Sequence, residues 1–429
     1  MMDRERILAQ DRAHVWHPYT QMRDYAGIDP LVLESARGSR LYDVNGRQYI
    51  DANSSWYCAS LGHQHPRLVR ALTAQAEKMC HVALAGITHE AAAALGAEMC
   101  AIAPAGLSRI FYSDDGSTAV EVSLKLALQY WAQNGRPKRT RFLALDGAYH
   151  GDTMAASSVS GIELFRRLFG SVIIDCLRVP PGTSGYAEAF EVLGRLLEQH
   201  ADELAAVIVE PIVQGAVGMR IYSPEFLRAL REVTQKHDVF LICDEVFTGY
   251  GRTGPFWASQ HADVAPDLLC TAKGFTGGMM PMSATLLTER IFEGFLGDGE
   301  RTFFYGHTFC GNPLGAALAR EVLRVYRDED VLGQAAKKAA RIAQAFRAFE
   351  ALPDVVETRS LGMVAALDLA GSQSYLEPRG KRVYAEALRR GAYLRPLGNT
   401  VYITPSLNIP DTDLDELLGI VEESVRAAG

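Results

Sequence analysis

The sequence predicts an α/β fold with two parts. A large domain is expected to contain a mostly parallel seven-stranded sheet covered by helices, since short apolar runs alternate with amphipathic helical segments from Ile110 onward. Two long helical patterns, through 314–326 and around 331–352, lead away from that sheet, and a short α+β tail follows them. We therefore predict a large domain over residues 61–325 and a small α+β domain formed by both ends of the chain, residues 1–60 and 326–429.

The individual elements follow from local signals in chain order. The opening quarter has short strand-like pieces at 41–43 and 48–50 around a turn at Asn45-Gly46. One helix start is clear, because Ser223 provides an N-cap, Pro224 suits the first turn and Glu225 complements the helix dipole. The apolar runs that predict the seven sheet strands are residues 109–112, 141–145, 173–177, 206–210, 240–244, 268–272 and 283–287.

Composition and charge exclude several classes of protein. The 429 residues are 48% hydrophobic and 22% charged, with a formal net charge of -8 and no Lys/Arg-rich block. These values argue against nucleic acid or an anionic membrane as the partner and favour small-molecule substrates. The first twenty residues contain no apolar signal region, and no apolar run reaches membrane-spanning length, so we expect a cytoplasmic protein.

Cysteine and histidine usage points away from disulfides and metals. The seven cysteines are scattered, odd in number and free of any Cys-x-x-Cys spacing, which predicts reduced thiols within the core. His63 and His65 lie two residues apart before Pro66, and we interpret them as a turn before a helix. No histidine pair has the spacing of a metal site, so no bound metal is predicted.

Two apolar runs end in residues that together suggest a cofactor. The run 268–272 ends at Lys273, which Gly274 follows, and the run 239–243 ends at Asp244. A buried lysine and a buried aspartate are the two fixed points that pyridoxal phosphate (PLP) requires: the amine binds the cofactor aldehyde, and the carboxylate keeps the pyridine nitrogen protonated. Burial should lower the pKa of Lys273, favouring the free amine that can attack and move a proton.

A phosphate site is predicted where the strand 109–112 leads into a helix. Free amides at the helix start and the Ser117 hydroxyl can bind a dianion, and Gly116 permits its close approach. The same residues could form an ordinary N-cap, but the Lys273–Asp244 combination favours phosphate. Asp115 must then point away from the phosphate.

Two residues are expected to enclose the cofactor ring. Tyr149 follows the strand 141–145 at the carboxyl edge of the sheet, where ligands of open α/β folds collect. We expect Tyr149 to stack on one face of the ring and Val246, just after Asp244, to pack against the other.

A dinucleotide-binding motif competes with this interpretation. Residues 249–254 read Gly-x-Gly-x-x-Gly directly after a strand. However, the following segment 255–257, Pro-Phe-Trp, is an unfavourable start for a helix packed on a sheet, and the strand comes late in the series. We interpret these glycines as an active-site loop.

Several of these segments resemble the signature of class III, fold-type I PLP aminotransferases. The segments are 241–246, 251–254, 266–267 and 273–274, and the similarity extends over nearly the whole chain, including 308–314. The resemblance implies a PLP-dependent transaminase and a homodimer. It also implies that Thr308 contacts the phosphate of the neighbouring subunit's cofactor.

A narrower resemblance is to the branch of this family that serves biotin biosynthesis. It rests on residues 16–20, 54–56, 86–89, 127–131, 149–153 and 210–216. Members of the branch aminate the keto acid 8-amino-7-oxononanoate, with S-adenosylmethionine or, in some, lysine as donor. The resemblance implies a catalytic role for Tyr19 beside Lys273 and Asp244, and contact of Arg395 with the substrate carboxylate. The substrate-binding residues it implies are Tyr19, Trp56, Tyr149, Asp152, Lys273, Gly306, Arg395 and Tyr402.

The chain departs from this branch at three positions. Tyr57 replaces a second tryptophan, Asp115 replaces the first serine of the phosphate loop, and His307 replaces a proline. These positions belong to the donor pocket and the phosphate site, so the donor stays open. One alternative is a class III enzyme for an ω-amine such as ornithine, 4-aminobutyrate or diaminobutyrate, which Arg395 and the Trp56/Tyr19 cluster disfavour. The other is a non-catalytic cofactor-binding or regulatory protein, which the intact lysine, aspartate and tyrosine set disfavours.

Overall fold

The computed structural model describes residues 3–179, 187–372 and 374–428. Helices cover both faces of a central sheet, and two smaller sheets contain residues from both ends of the chain. The strands are β1 (Leu33–Arg37), β2 (Arg40–Asp43), β3 (Gln48–Asp51), β4 (Leu107–Ser113), β5 (Arg141–Leu145), β6 (Cys176–Val179), β7 (Leu204–Val209), β8 (Val213–Gln214), β9 (Arg220–Ile221), β10 (Phe240–Asp244), β11 (Leu268–Thr271), β12 (Ser283–Thr288), β13 (Val355–Leu361), β14 (Val364–Leu369), β15 (Ala392–Tyr393) and β16 (Thr400–Ile403).

The helices connect these strands and pack on the sheets. The α-helices are Arg4–His14, Met22–Ala26, Pro66–Lys78, Glu90–Ile102, Gly116–Gln133, Met154–Val159, Glu163–Arg166, Ala187–His200, Pro224–Lys236, Glu289–Glu293, Pro313–Asp328, Val331–Phe349, Arg379–Arg390 and Asp411–Ala428. Short 3-10 turns are Arg167–Phe169, Ala258–Ala262, Lys273–Thr276 and Gly299–Arg301. One further helical turn, Ser54–Tyr57, is left-handed and belongs to the candidate site.

The central sheet contains all seven predicted strands, in the order β4-β12-β11-β10-β7-β5-β6. Only β12 is antiparallel to its neighbours, and β7, β10 and β11 are buried along their whole length. Continuous apolar runs suit strands covered by helices on both faces. The α/β prediction is therefore confirmed.

One strand begins later than predicted. The apolar run 173–177 favoured a strand from Ile173, but β6 begins at Cys176, where its pairing with Phe142 of β5 starts. The backbone N–H of Ile174 donates to Ser158 Oγ at 2.8 Å, so this part of the run is held by a side chain before the ladder begins. Apolar composition alone does not reveal that competition.

Residues from both termini share one small sheet. Its order is β1-β2-β3-β15, and β15 pairs in parallel with β3, aligning Ala392 with Ile50 and Tyr393 with Asp51. A second small sheet, β13-β14-β16, is formed by the C-terminal part alone. The domain division at residues 60 and 325 stays a prediction, which the β3–β15 pairing supports.

Several local predictions are confirmed. Ser223 Oγ accepts a hydrogen bond from the backbone N–H of Phe226 at the start of helix Pro224–Lys236. Helix Pro66–Lys78 begins directly after His65, as expected for a turn at His63 and His65. The glycine motif 249–254 forms turns and no helix follows it directly, which argues against a dinucleotide site. Its residues do not line the cavity described below, so the active-site loop stays a prediction.

The cysteine prediction is correct in one respect and wrong in another. All seven cysteines are free thiols. However, only Cys243 and Cys270 are buried, and Cys80 is exposed, because the other thiols lie at element ends or on partly exposed helix faces. None of the helices in the described ranges is long and apolar enough to cross a membrane.

Candidate active site

A cavity of about 700 Å³ lies at the carboxyl ends of four adjacent central strands. Tyr149 follows β5, Glu210 follows β7, Asp244 ends β10 and Lys273 follows β11. Parallel strands bring their carboxyl ends to one edge of a sheet, which explains how residues distant in sequence meet here. The predicted residues that line the cavity are Tyr19, Trp56, Gly116, Ser117, Tyr149, Asp152, Asp244, Val246, Lys273 and Arg395.

Lys273 adopts an unusual backbone conformation at the start of a 3-10 turn. Its φ is 51°, in the left-handed region that β-carbon-bearing residues rarely adopt. Such strain concentrates at functional sites, where the surrounding structure fixes it. Burial lowers the pKa of the Lys273 ammonium, and the nearby carboxylates of Asp244 and Glu210 oppose part of that shift. This environment favours a nucleophilic amine.

Asp244 is held as a buried carboxylate by two donors. One oxygen lies 2.7 Å from His150 Nδ1, and the other accepts the backbone N–H of Val246 at 3.1 Å. The side chain is nearly inaccessible to solvent, so its charge acts in a low-dielectric region. The sequence interpretation did not assign a role to His150. His150 could be identified only from the contact between the loop after β5 and the end of β10, which the sequence does not reveal.

The predicted phosphate loop has the expected shape. Helix Gly116–Gln133 starts at Gly116, where an added Cβ would lie 2.7 Å from Val246 Cγ1. The absence of a side chain at Gly116 therefore keeps space open at the helix start. Ser117 Oγ accepts the backbone N–H of Asp152 at 3.2 Å, which joins this loop to the segment after β5.

Asp115 turns back onto its own helix, as predicted for a carboxylate near a phosphate. Its side chain accepts the backbone N–H of Thr118 at 3.0 Å, and Thr118 Oγ1 bonds the Asp115 backbone in return. This capping box uses the Thr118 amide. The residues left at the helix start for an anion are Gly116 and Ser117.

Two tyrosines share one carboxylate at the mouth of the cavity. Tyr19 Oη donates to Asp152 Oδ2 at 2.5 Å, and Tyr149 Oη donates to the same oxygen at 2.8 Å. The two hydroxyls are 3.2 Å apart. Burial raises the pKa of both phenols, so each keeps its proton. The cluster fixes the Tyr149 ring beside Asp152.

Glu210 is a second site residue to which the sequence interpretation gave no role. It is buried and accepts the backbone N–H of Tyr149 at 3.0 Å and that of Gly215 at 2.9 Å. Burial raises the pKa of its carboxyl to about 7, while the nearby His150 opposes the shift. Glu210 thus ties together two loops that line the cavity.

The wall opposite the phosphate loop is a left-handed turn. Ser54, Ser55, Trp56 and Tyr57 have φ values of 46°, 45°, 63° and 76°. For residues with a Cβ, this conformation costs about 1–2 kcal/mol each, so surrounding contacts must stabilise it. The turn places the Tyr57 ring 5.3 Å from Lys273 Nζ.

Arg395 lines the cavity beside Trp56. Its guanidinium carbon lies 3.8 Å from the centre of the Trp56 ring, a favourable cation–π geometry. Within the described ranges no carboxylate forms an ion pair with Arg395. An anionic group of a ligand would therefore find an unneutralised guanidinium here.

Three predicted substrate or cofactor residues lie outside the cavity of their own chain. Tyr402 was predicted to line it, but the residue is buried behind Tyr57, with the two hydroxyls 2.8 Å apart. The reason is that Tyr57 and Arg395 lie between Tyr402 and the open space. Gly306 and Thr308 are exposed on the segment before helix Pro313–Asp328 and do not reach the cavity.

The residues present fit PLP. Lys273 offers a buried amine, Asp244 a fixed carboxylate, and Gly116 an open helix start where a side chain would collide with Val246. Lys273, Asp244 and Ser117 would hold the aldehyde, the pyridine nitrogen and the phosphate. Tyr149 and Val246 would hold the ring.

Comparisons with known proteins agree with this geometry. The family described as Aminotransferase class-III matches residues 22–425. An adenosylmethionine-8-amino-7-oxononanoate aminotransferase from Nitratidesulfovibrio vulgaris is 41% identical over 444 residues, covering 98% of this chain and 82% of the relative. The crystal structure of the enzyme of that name from Methanocaldococcus jannaschii has a TM-score of 0.96 at 33% identity, with 99% of each chain covered. A PLP-bound amine transaminase from an uncultivated Pseudomonas species has a TM-score of 0.91 at 31% identity, covering 97% of this chain and 99% of that one.

Proposed function

This chain belongs to the class III aminotransferases, and from that premise we propose that it aminates 8-amino-7-oxononanoate to 7,8-diaminononanoate, a step of biotin biosynthesis. PLP is its cofactor, and S-adenosylmethionine is the proposed donor, with lysine as the alternative. Relatives that carry this activity in their names support the proposal. We also propose that the enzyme is cytoplasmic, which its free thiols support.

The observation that carries the proposal is that one cavity contains both the Lys273 amine and a guanidinium without a carboxylate partner. Lys273 lies 5.3 Å from the Tyr57 ring, and Arg395 lies against the neighbouring Trp56 ring. A keto acid with an apolar chain between its reactive carbonyl and its carboxylate matches this arrangement. A simple amine without a carboxylate would leave Arg395 unpaired. Ornithine, 4-aminobutyrate and diaminobutyrate carry a carboxylate, and the acceptor test below distinguishes them from 8-amino-7-oxononanoate.

The mechanism assigns distinct tasks to the residues of this chain. Bound PLP supplies the aldehyde that exchanges amines and a ring that accepts electrons. Lys273 Nζ would hold the cofactor aldehyde and, once free, would serve as the base that moves the proton of the substrate carbon. Asp244, held by His150, would bind the pyridine nitrogen and keep it protonated. Donor and acceptor use the same cavity in turn.

The test is a pair of half-reactions with the purified, PLP-loaded protein. S-adenosylmethionine and lysine are mixed with it separately, and the visible absorption of the lysine-bound cofactor is followed. The proposal expects loss of this absorption with S-adenosylmethionine and its return when 8-amino-7-oxononanoate is added. If lysine removes the absorption and S-adenosylmethionine does not, lysine is the donor. Failure of 8-amino-7-oxononanoate to restore the absorption would refute the proposed acceptor.

Replacing Arg395 by glutamine should weaken acceptor binding selectively. Loss of a forked, charge-assisted contact to a carboxylate is expected to raise the KM for 8-amino-7-oxononanoate by about 100-fold. Steady-state kinetics at saturating donor measure the effect. The matched control is Arg390→Gln, because Arg390 pairs with Glu386 and Glu423 on the surface away from the cavity. Equal KM values for the two variants would remove Arg395 from the acceptor site.

We further propose a homodimer in which Thr308 contacts the phosphate of the neighbouring subunit's cofactor. Thr308 is exposed and lies outside its own cavity, which leaves it free to reach another chain. The apolar side chains Phe304 and Phe309 beside it are 82% and 52% exposed. Large exposed aromatic side chains on one short segment favour a subunit interface there.

Replacing Thr308 by valine should lower PLP affinity by about 10-fold, since one hydrogen bond to a charged phosphate is lost. Mixed dimers distinguish the two arrangements. A dimer of one Lys273→Ala subunit and one Thr308→Val subunit has one intact site only if Thr308 acts across the interface. Wild-type PLP affinity in half of the sites is therefore expected. A mixed dimer without any such site would contradict the proposal.

A further inference from the structure

We infer that Asp51 and His63 form a positioning pair for the substrate pocket. They hold the left-handed turn Ser54–Tyr57 in the conformation that places Trp56 against Arg395. Neither residue lines the cavity, so their action is indirect. The inference rests on the proposed function, because it takes the Trp56–Arg395 contact as part of the keto-acid site.

Asp51 stabilises the turn through several hydrogen bonds. One oxygen accepts from the backbone N–H of Ser55 at 2.7 Å and from Ser55 Oγ at 2.9 Å. The other accepts the backbone N–H of Asn53 at 3.2 Å. Asp51 is 3% exposed, so these bonds form out of water. Hydrogen bonds from backbone N–H groups to a carboxylate are about twice as strong as bonds between neutral groups, so they can stabilise a strained segment.

His63 completes the anchor from the other side. Its Nε2 donates to the Asp51 oxygen that binds Ser55, at 2.9 Å. The position of His63 is itself fixed, because its backbone exchanges hydrogen bonds with Gly38 at 2.7 and 2.9 Å. His63 therefore limits the directions in which the Asp51 carboxylate can rotate.

The same sheet carries the anchor and the guanidinium. Asp51 ends β3 and aligns with Tyr393 of β15, and Arg395 follows β15 by two residues. Trp56 comes five residues after Asp51, at the end of the anchored turn. The β3–β15 pair therefore fixes the position of Arg395, and the Asp51 carboxylate fixes that of Trp56. Loss of the carboxylate releases Trp56, whereas Arg395 stays in place.

The remaining contacts of the turn do not replace this anchor. Ser54 Oγ donates to the carbonyl oxygen of Thr404, and Asn53 Nδ2 donates to that of Tyr402. Both bonds fix the entry to the turn. Among the hydrogen bonds of the described residues, only Asp51 accepts the Ser55 amide through a side chain. Further along the turn, the backbone N–H of Tyr57 donates to the carbonyl oxygen of Asn53 at 2.8 Å, and the Tyr57 and Tyr402 hydroxyls lie 2.8 Å apart. Asp51 therefore acts at Ser55, the left-handed residue directly before Trp56.

The test replaces Asp51 by asparagine in the PLP-loaded enzyme. The KM for 8-amino-7-oxononanoate is expected to rise about 10-fold. The reason is that the turn loses one charge-assisted hydrogen bond, so Trp56 in the pocket wall is held less firmly. The visible absorption of the bound cofactor should stay unchanged, because Lys273 and Asp244 are untouched. The matched control is Asp43→Asn: Asp43 is a buried carboxylate of the same small sheet and accepts the backbone N–H groups of Asn45 and Arg47.

A second pair of variants covers the case in which Asp51→Asn does not fold. His63→Leu removes the donor to Asp51 and should raise the acceptor KM, whereas His63→Gln keeps a donor and should raise it less. Equal KM values for Asp51→Asn and Asp43→Asn, or for the two His63 variants, would overturn the inference. Wild-type turnover with 8-amino-7-oxononanoate tests the proposed function separately. The variants are compared with whichever keto acid the wild-type enzyme accepts.

Discussion

Replacement of Lys273 by alanine is expected to abolish turnover, by at least about 10⁴-fold, and to remove the visible absorption of the lysine-bound cofactor. Two functions disappear together, because the same amine anchors the PLP aldehyde and moves the substrate proton. The left-handed backbone of Lys273 and its lowered pKa indicate that the fold is arranged around this side chain. Absorption spectra and steady-state rates of the purified variant measure both losses.

Lys338 provides the control for Lys273. It is also buried with a lowered pKa, but its Nζ donates to the carbonyl oxygen of Leu407, away from the cavity. Lys338→Ala should reduce thermal stability and keep the absorption and the turnover number. If Lys273→Ala retains wild-type turnover while Lys338→Ala loses it, the covalent anchor has been assigned to the wrong residue.

The second large effect is expected for Asp244→Asn. A neutral amide no longer keeps the pyridine nitrogen protonated, so the ring accepts electrons poorly and kcat should fall about 10³-fold. The lysine-bound absorption should persist, though shifted, because Lys273 is intact. A low kcat with the absorption retained would show that the cofactor is bound but that its ring accepts electrons poorly. Loss of both would show that the cofactor no longer binds. Single-turnover rates with a saturating donor measure the chemical step directly.

Asp267→Asn is the matched control for Asp244→Asn. Asp267 precedes β11 at the opposite end of the central sheet, where it pairs with Arg231 and accepts the backbone N–H of Leu241. Its replacement should lower stability with kcat unchanged. A wild-type kcat in Asp244→Asn would show that the carboxylate does not govern the reaction.

Much of the fold and the central pair of the site could be predicted from sequence. Apolar runs that end in Lys273 and Asp244 identify both buried strands and the polar residue at the carboxyl end of each. The Gly116-Ser117 start of a helix was equally visible, because the strand, the glycine and the amphipathic pattern are adjacent in the chain. These features depend on local periodicity.

The features that escaped prediction depend on long-range contacts. His150 and Glu210 have roles only because the loops after β5 and β7 meet the end of β10. The left-handed turn contains no glycine, so local propensity gives no sign of it. Its conformation comes from the nearby Asp51 carboxylate together with the distant Thr404 and Tyr402. Tyr402 lies behind Tyr57 because strand pairing, not spacing, sets its depth.

The covalent link between Lys273 and PLP can be tested most directly by chemical trapping. The PLP-loaded protein is reduced with borohydride, digested, and mapped by tandem mass spectrometry. We expect one pyridoxyl-phosphate addition, on Lys273 Nζ, and its absence when an excess of donor has first converted the cofactor to its amine form. Addition to a different lysine, or no addition to a protein that still transfers amino groups, would contradict the central claim.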